Sequence, residues 1–220
     1  MQSPFRFRIL LPLVFACSPL WAQQEAATTP VPADAEIMAE PIPADVTASA
    51  VAAVKALGDQ VVLGRYETAI EKMNPMWKER AAKRIGGMEK LEAQLKGVAK
   101  QMVQQGISMI SFQPKGQPSA YEVWPGKKVV TENGRQVERL VHTKYMVLVP
   151  TVTRFRILRQ GDPKPLVIES TGFQVAIRDK EAEDWTFIDG ASLGPNDLRS
   201  LFITLPQDIK LPPVNKREVR

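Results

Sequence analysis

The chain has 220 residues, a formal net charge of +5, 44% hydrophobic residues, one histidine and one cysteine. This length fits one domain with tails, and the apolar share excludes wholesale disorder. A single histidine and a single cysteine exclude zinc fingers, Cys/His metal clusters and disulfide scaffolds, so neither a metal nor a cofactor is expected.

Residues 1–22 read as a secretory signal. Arg6 and Arg8 supply the positive start, Ile9 to Ala16 form a short apolar core, and Pro19 precedes Leu20-Trp21-Ala22, with cleavage expected after Ala22. The core is too short to span a bilayer, and no later apolar run reaches the roughly 18 residues of a spanning helix. A second route is lipoprotein processing at Cys17, because Val14-Phe15-Ala16-Cys17 resembles a lipobox, although Phe15 stands where a smaller residue is preferred. The first route delivers a soluble protein without a thiol to the periplasm or the exterior. The second leaves Cys17 as a lipid-bearing first residue and places the protein at a membrane.

Residues 23–45 form a Pro/Ala-rich linker with five acids (Glu25, Asp34, Glu36, Glu40, Asp45), no base and no aromatic residue. Such a composition cannot bury enough apolar surface to offset the entropy of ordering, so the linker is expected to be disordered. A single domain is expected over 46–213, followed by a basic tail, 214–220. The domain is mildly basic, but its charges are dispersed and no basic 5–8-mer occurs, so no nucleic-acid partner is expected.

From 46 to 105 the apolar period is helical. Val51, Val54, Leu57 and Val61 mark a first helix, with Thr47 or Ser49 as its cap. Gly64 breaks it, and Tyr66, Ile70 and Met73 mark a second, ended by Asn74-Pro75. A long third helix follows Pro75, its stripe running Ile85, Met88, Leu91, Leu95, Val98, Met102. Gly86-Gly87 should weaken or bend it, and Gly106 should cap it. After Gly106 the period becomes two. Strands are expected at Ile107–Phe112, Ala120–Val123, Leu140–Val149, Val152–Leu158, Leu166–Ile177 and Trp185–Ile188. Asn133-Gly134 is a strong hairpin signal between Val129–Thr131 and Gln136–Glu138. A short amphipathic helix is expected within Asp197–Leu205. The order means α+β. Phe155 and Ile157, Phe173, Val175 and Ile177, and Trp185 and Phe187 read as one apolar face, for which the third helix is the expected cover. A curved sheet wrapped on such a helix makes a cone with an open mouth.

Several strings carry a resemblance. Gly64-Arg65-Tyr66-Glu67, Asn74-Pro75, Gly86-Gly87-Met88-Glu89 and Gln105-Gly106-Ile107 precede Tyr145-Met146-Val147-Leu148-Val149-Pro150 and Trp185-Thr186-Phe187-Ile188-Asp189-Gly190, with Leu205-Pro206 and Leu211-Pro212 behind them. Over roughly 46–213 the chain resembles secreted bacterial members of the nuclear transport factor 2-like superfamily. The resemblance implies a cone-shaped α+β fold with a pocket at its wide end. That superfamily holds isomerases, dehydratases, cyclases and non-catalytic binding modules, so it does not choose a function.

Candidate sites are few. Gly190-Ala191-Ser192-Leu193-Gly194 matches a nucleophile elbow, but the sole histidine precedes the serine, and a glycine-rich turn explains the string. His142 could act as acid or base near neutral pH, or simply be a structural residue on its strand beside Lys144. Asp189, ending an apolar strand, is the better acid: partial desolvation would raise its pKa into the range of a proton-abstracting base, and His142 or Tyr145 would assist it. A turn cap is the rival role for Asp189. Tyr121, Trp124 and Trp185 could line a ligand pocket, with core packing as the alternative. The sequence therefore favours an exported, non-catalytic module that binds a small apolar ligand or a protein partner, with a homodimer through the sheet as one form. The alternative is a cofactor-free isomerase or dehydratase built on Asp189.

Overall fold

A computed structural model describes Ile37, residues 41–158 and residues 164–219. The expected signal, with Cys17, and most of the linker lie outside the described residues. The described chain is of the α+β class. Its helices are α1 (Ala44–Val62), α2 (Tyr66–Glu71), α3 (Pro75–Ile85), α4 (Met88–Gln104) and α5 (Pro195–Leu201). One antiparallel sheet holds β1 (Ile107–Pro114), β2 (Ser119–Glu132), β3 (Arg135–Ile157), β4 (Leu166–Asp179), β5 (Thr186–Asp189) and β6 (Asn215–Val219). No helix among the described residues is long and apolar enough to cross a membrane.

The first helix begins at Ala44, before Thr47 and Ser49, so neither residue caps it. Ser49 instead turns its hydroxyl back to the carbonyl of Val46 at 3.0 Å. Asn74 does cap: its Oδ1 accepts from the Trp77 amide at 3.3 Å, and Pro75 occupies the first turn of α3. The expected long third helix is two helices. Gly86 ends α3 in the left-handed region at φ 89°, and Gly87 follows at φ 134°, a conformation only glycine adopts without strain. Two successive positive φ values exceed what a bend can absorb, so the chain restarts as α4.

The sheet has a two-strand spine. β3 and β4 pair from Lys144↔Asp179 to Ile157↔Leu166. On the outer side of β3, β2 covers Arg135–Leu148 and β1 covers Thr151–Ile157. On the outer side of β4, β6 covers Val167–Thr171 and β5 covers Gln174–Ile177. The expected break at Pro150 is absent, and β3 runs through it. Pro150 falls in the gap between β2 and β1, where its missing N–H breaks no ladder, and its carbonyl accepts from the Lys115 amide at 2.9 Å. The expected basic tail contributes β6. Glu169 on β4, 6% exposed, is gripped by Arg154 of β3 at 2.8 Å and by Arg217 of β6 at 3.0 Å. Those hydrogen bonds, Arg154 first and then Arg217, hold the Glu169 carboxyl below its ordinary pKa.

Residues Tyr145 to Val149 are buried on both faces. On one face Tyr145, Val147, Val149, Ala176, Trp185 and Phe187 pack against Val46, Ala50, Val54 and Leu57 of α1. On the other, Met146, Leu148, Phe173, Val175, Ile177 and Ile188 pack against Leu198 of α5, Phe202, Leu205 and Ile209, with Met76 and Trp77 of α3 alongside. Two expectations are thereby corrected. The expected cover, the stripe from Ile85 to Met102, does not lie on the sheet: α1 covers one face and the segment from α5 to Ile209, with the start of α3, the other, while α4 leaves Met88 40% and Val98 48% exposed and packs mainly beside α3. The supposed single apolar face is two faces, since Val175 pairs with Ile188 and Ala176 with Phe187.

The chain passes from one face to the other over the free edge of β5. The Phe187 amide donates to the Lys72 carbonyl, and the Asn74 amide donates to the Phe187 carbonyl, both at 2.8 Å. Asn74, 3% exposed, also donates its Nδ2 to Thr186 Oγ1 at 3.0 Å. One buried side chain thus caps α3 and seals an edge strand. Asn74→Ala is expected to cost about 1–3 kcal/mol in chemical denaturation, because it removes the cap and strands its buried partners. A cost below about 0.5 kcal/mol would show that this junction is not what closes the edge.

Gly58 of α1 sits over β1. A Cβ there would lie 2.1 Å from Cδ1 of Phe112. Helix propensity alone favours Gly58→Ala by about 1 kcal/mol. Overpacking costs of about 1–3 kcal/mol should outweigh it, so Gly58→Ala is expected to destabilise. Adding Phe112→Leu should relieve the clash and recover stability, measured as a shift in the denaturation midpoint.

Candidate functional site

The polar features worth functional attention gather where β3 outruns β4. Beyond Lys144↔Asp179, β2 and β3 continue as a two-stranded ribbon, pairing from Pro125↔His142 to Glu132↔Arg135. Asn133 and Gly134 turn it at φ 51° and 75°, the type I′ geometry. Cross-strand ion pairs, Lys127–Glu138 at 2.9 Å and Arg139–Glu132 at 2.7 Å, brace it. A groove of about 500 Å³ opens at its foot, lined by Lys127, Lys128, His142, Tyr145, Asp179 and Lys180 among others.

A row of side chains crosses three strands there: Glu122 of β2 opposes Tyr145 of β3, which opposes Arg178 of β4. The Glu122 side chain is 7% exposed; it forms an ion pair with Lys180, and its Oε2 lies 3.8 Å from His142 Nδ1. Lys180 Nζ stands 5.3 Å from the centre of the Tyr145 ring. The Arg178 guanidinium lies 5.7 Å from that centre and 5.1 Å from that of Trp185. A cation against an aromatic face gains electrostatic attraction, more so when desolvated.

Trp124 is an outlier in this strand. Its φ is 67°, a left-handed value rare for a bulky residue, and Thr143 Oγ1 donates to its carbonyl at 2.9 Å. Its indole is 41% exposed at the edge of the domain. Tyr121 packs against the α5-side core, whereas Trp185 belongs to the α1-side core. The three aromatic residues expected to share a pocket thus fall on a surface and on opposite faces of the sheet.

The expected acid–base set does not assemble. Asp189 pairs with Gln174, which pairs with Val149. From Val149, His142 lies seven residues along β3, an offset on the order of 20 Å, and Tyr145 four residues, an offset of about 13 Å, with Asp189 two strands to the side of β3. Asp189 caps the 3-10 turn Gly190–Ser192, accepting from the Ala191 amide and from Gln174 Nε2, both at 3.3 Å. Surrounding protein pushes its pKa up, opposed by those two hydrogen bonds and by Lys216; water still reaches the residue and screens the effect. The Gly-x-Ser-x-Gly string is that turn and the start of α5. Among the described residues no group of three His, Cys, Asp or Glu side chains could hold a metal ion.

Sequence reasoning passed over Glu122, Arg178 and Lys180. Counting outward from Asn133-Gly134 would have placed Glu122 opposite Tyr145, because the β2–β3 register keeps step from the turn to Ser119↔Leu148. Nothing comparable pins β4, whose link from β3 lacks such a turn signal. Compared with known proteins, the chain matches no family model, no curated protein and no solved structure.

His142 is 13% exposed at its side chain, so it is not solvent-facing. Burial pushes its pKa down, Glu122 pulls it up, and Lys180 pushes it down again. The imidazole is therefore neutral at pH 7. Because the folded pKa lies below the unfolded one, the unfolded chain takes up this proton first on acidification. Stability from this group is complete above about pH 6.5 and drains away as pH falls toward the lowered folded value. As the only histidine, it gives one readable imidazole signal in NMR. That signal should titrate below 6.5, and His142→Gln should flatten the stability slope between about pH 6.5 and 5. A midpoint at or above 6.5 would contradict the burial argument.

Proposed function

We propose that this chain is an exported, non-catalytic binding module that engages a protein partner through the β2–β3 ribbon. The observation that carries this reading is the ribbon itself. Among the described residues no other strand pairs with it, and a two-stranded β-ribbon alone is marginally stable in water. It exposes Val129 at 57% and rises beside the exposed Trp124. An apolar and aromatic surface on a projecting strand pair suits contact with another chain better than capture of a small apolar molecule. The centre of the sheet, where such a molecule would sit in a cone, is filled on both faces by side chains such as Phe173, Phe202 and Phe187.

Export is supported by the charged start, apolar core and Leu20-Trp21-Ala22 ending of residues 1–22, with Cys17 as the lipid-anchored variant of the same route. The nuclear transport factor 2-like assignment is part of this proposal, resting on the quoted strings and on the order of helices before an antiparallel sheet. The isomerase or dehydratase alternative needs Asp189 beside His142 or Tyr145, and no observation favours it over the binding reading.

The test is native mass spectrometry of the protein purified gently from its host's envelope, alongside a variant in which residues 128–139 are replaced by Asn-Gly. The full-length ribbon is expected to retain a second, different chain that the shortened variant loses while keeping its thermal midpoint. A mass of two copies would make the partner a homodimer mate. Bare monomer from the intact protein, or equal retention by the shortened one, would overturn the reading.

A further inference from the structure

Several buried side-chain nitrogens find no hydrogen-bond partner in the protein. Among the described residues these are His142 Nδ1 and Nε2, Arg178 Nε and Trp185 Nε1, with Arg199 Nε apart from them on α5. The first four belong to the neighbourhood of Tyr145: Arg178 stacks between Tyr145 and Trp185, and His142 approaches Glu122, the cross-strand neighbour of Tyr145. Arginine and indole nitrogens only donate, and a neutral imidazole offers one donor and one acceptor. Native proteins rarely leave buried donors unmatched, so a cluster of them calls for an acceptor.

The charges agree in sign. Lys127, Lys128 and Lys180 line the groove with Asp179 and Glu181, and Lys144, Arg178, Glu122 and Glu138 adjoin these lining residues or Tyr145. Glu122 is taken by Lys180, Glu138 by Lys127 and Asp179 by Lys144. Glu181 is the remaining acid, whereas Arg178 and Lys128 have no ion-pair partner among the described residues. A half-buried guanidinium without a counter-charge bears a desolvation cost that an anion would relieve. The groove's volume of about 500 Å³ falls within the range of small-molecule sites.

We propose that the groove at the foot of the ribbon binds a small organic anion, its carboxylate or phosphate group received by His142, Lys128 and Lys180. Arg178, behind the Tyr145 wall, supplies the uncompensated positive field. The site is independent of the protein-partner reading, because anion binding is measured on the protein alone and with the ribbon intact.

The experiment follows the single His142 imidazole signal by NMR while inorganic phosphate is added in one arm and succinate in the other. A saturable shift is expected, complete below about 10 mM in the better arm, and that arm identifies the favoured group. The bound anion should also raise the His142 titration midpoint, since an opposite charge favours the protonated ring. Arg178→Gln and Lys128→Gln should each weaken binding about tenfold or leave it unsaturable. The variant Lys96→Gln/Lys100→Gln on α4 lowers the net charge by as much or more without touching the groove and should bind as the parent does. Should Arg178→Gln fail to fold, the exposed Lys128→Gln carries the test. The proposal is overturned if neither arm saturates, if Lys128→Gln binds like the parent, or if the α4 control loses as much as the groove variants.

Discussion

A strand buried on both faces must be apolar at every position, and in this protein that constraint falls on Tyr145–Val149 of β3. The stretch reads as a continuous apolar run and not as an alternation, because α1 closes one side and the segment from α5 to Ile209 closes the other. Layers on both sides require the chain to cross the sheet, and it does so at β5, where Asn74 ties the turn before α3 to Thr186 and Phe187. The two cores therefore depend on a single long strand and on a single buried amide at the crossing.

The same constraint explains where polar chemistry appears. Cover ends near Lys144, the last residue of β3 that β4 pairs, and there the row Glu122–Tyr145–Arg178 replaces apolar packing. Tyr145 belongs to both regions: its ring completes the α1-side core, while Lys180 and Arg178 approach its faces. Outside this boundary only the foot of the ribbon, at Val141 and His142, is buried, and among the described residues neither core cluster extends along it. Its stability comes from a tight turn and cross-strand ion pairs instead of burial, which leaves its surface free for contact. The strained backbone at Trp124 lies at the same boundary. Asp189, by contrast, serves a local turn at a different part of the sheet, and its distance from His142 follows from register alone.

Much of the fold was legible along the chain. The change of apolar period at Gly106 separates helices from sheet, Asn133-Gly134 places the hairpin, the segment Leu166–Ile177 matches β4 closely, and Asp197–Leu205 overlaps α5, which ends at Leu201. Those signals are local: turn chemistry, capping and periodicity act over a few residues. Where the reading failed, competing effects were involved. Gly86-Gly87 reads as a bend, but two positive φ values in succession end a helix. Pro150 reads as a strand break, but a proline is tolerated where a strand changes neighbours. The basic tail carries no apolar alternation, yet it forms a strand because Arg217 meets the buried Glu169 on β4.

What the sequence by itself determined was the type of most of its elements and the register of the Asn133-Gly134 hairpin, because each is set by residues adjacent in the chain. Only the tertiary structure decided which helix covers the sheet, that Val175 and Phe187 face opposite layers, and that Glu122, His142, Arg178 and Lys180 meet around Tyr145. Those outcomes depend on pairing between strands far apart in sequence, where a shift of one residue sends every side chain to the other face. No local pattern carries that information; it is fixed by the burial of two apolar layers at once.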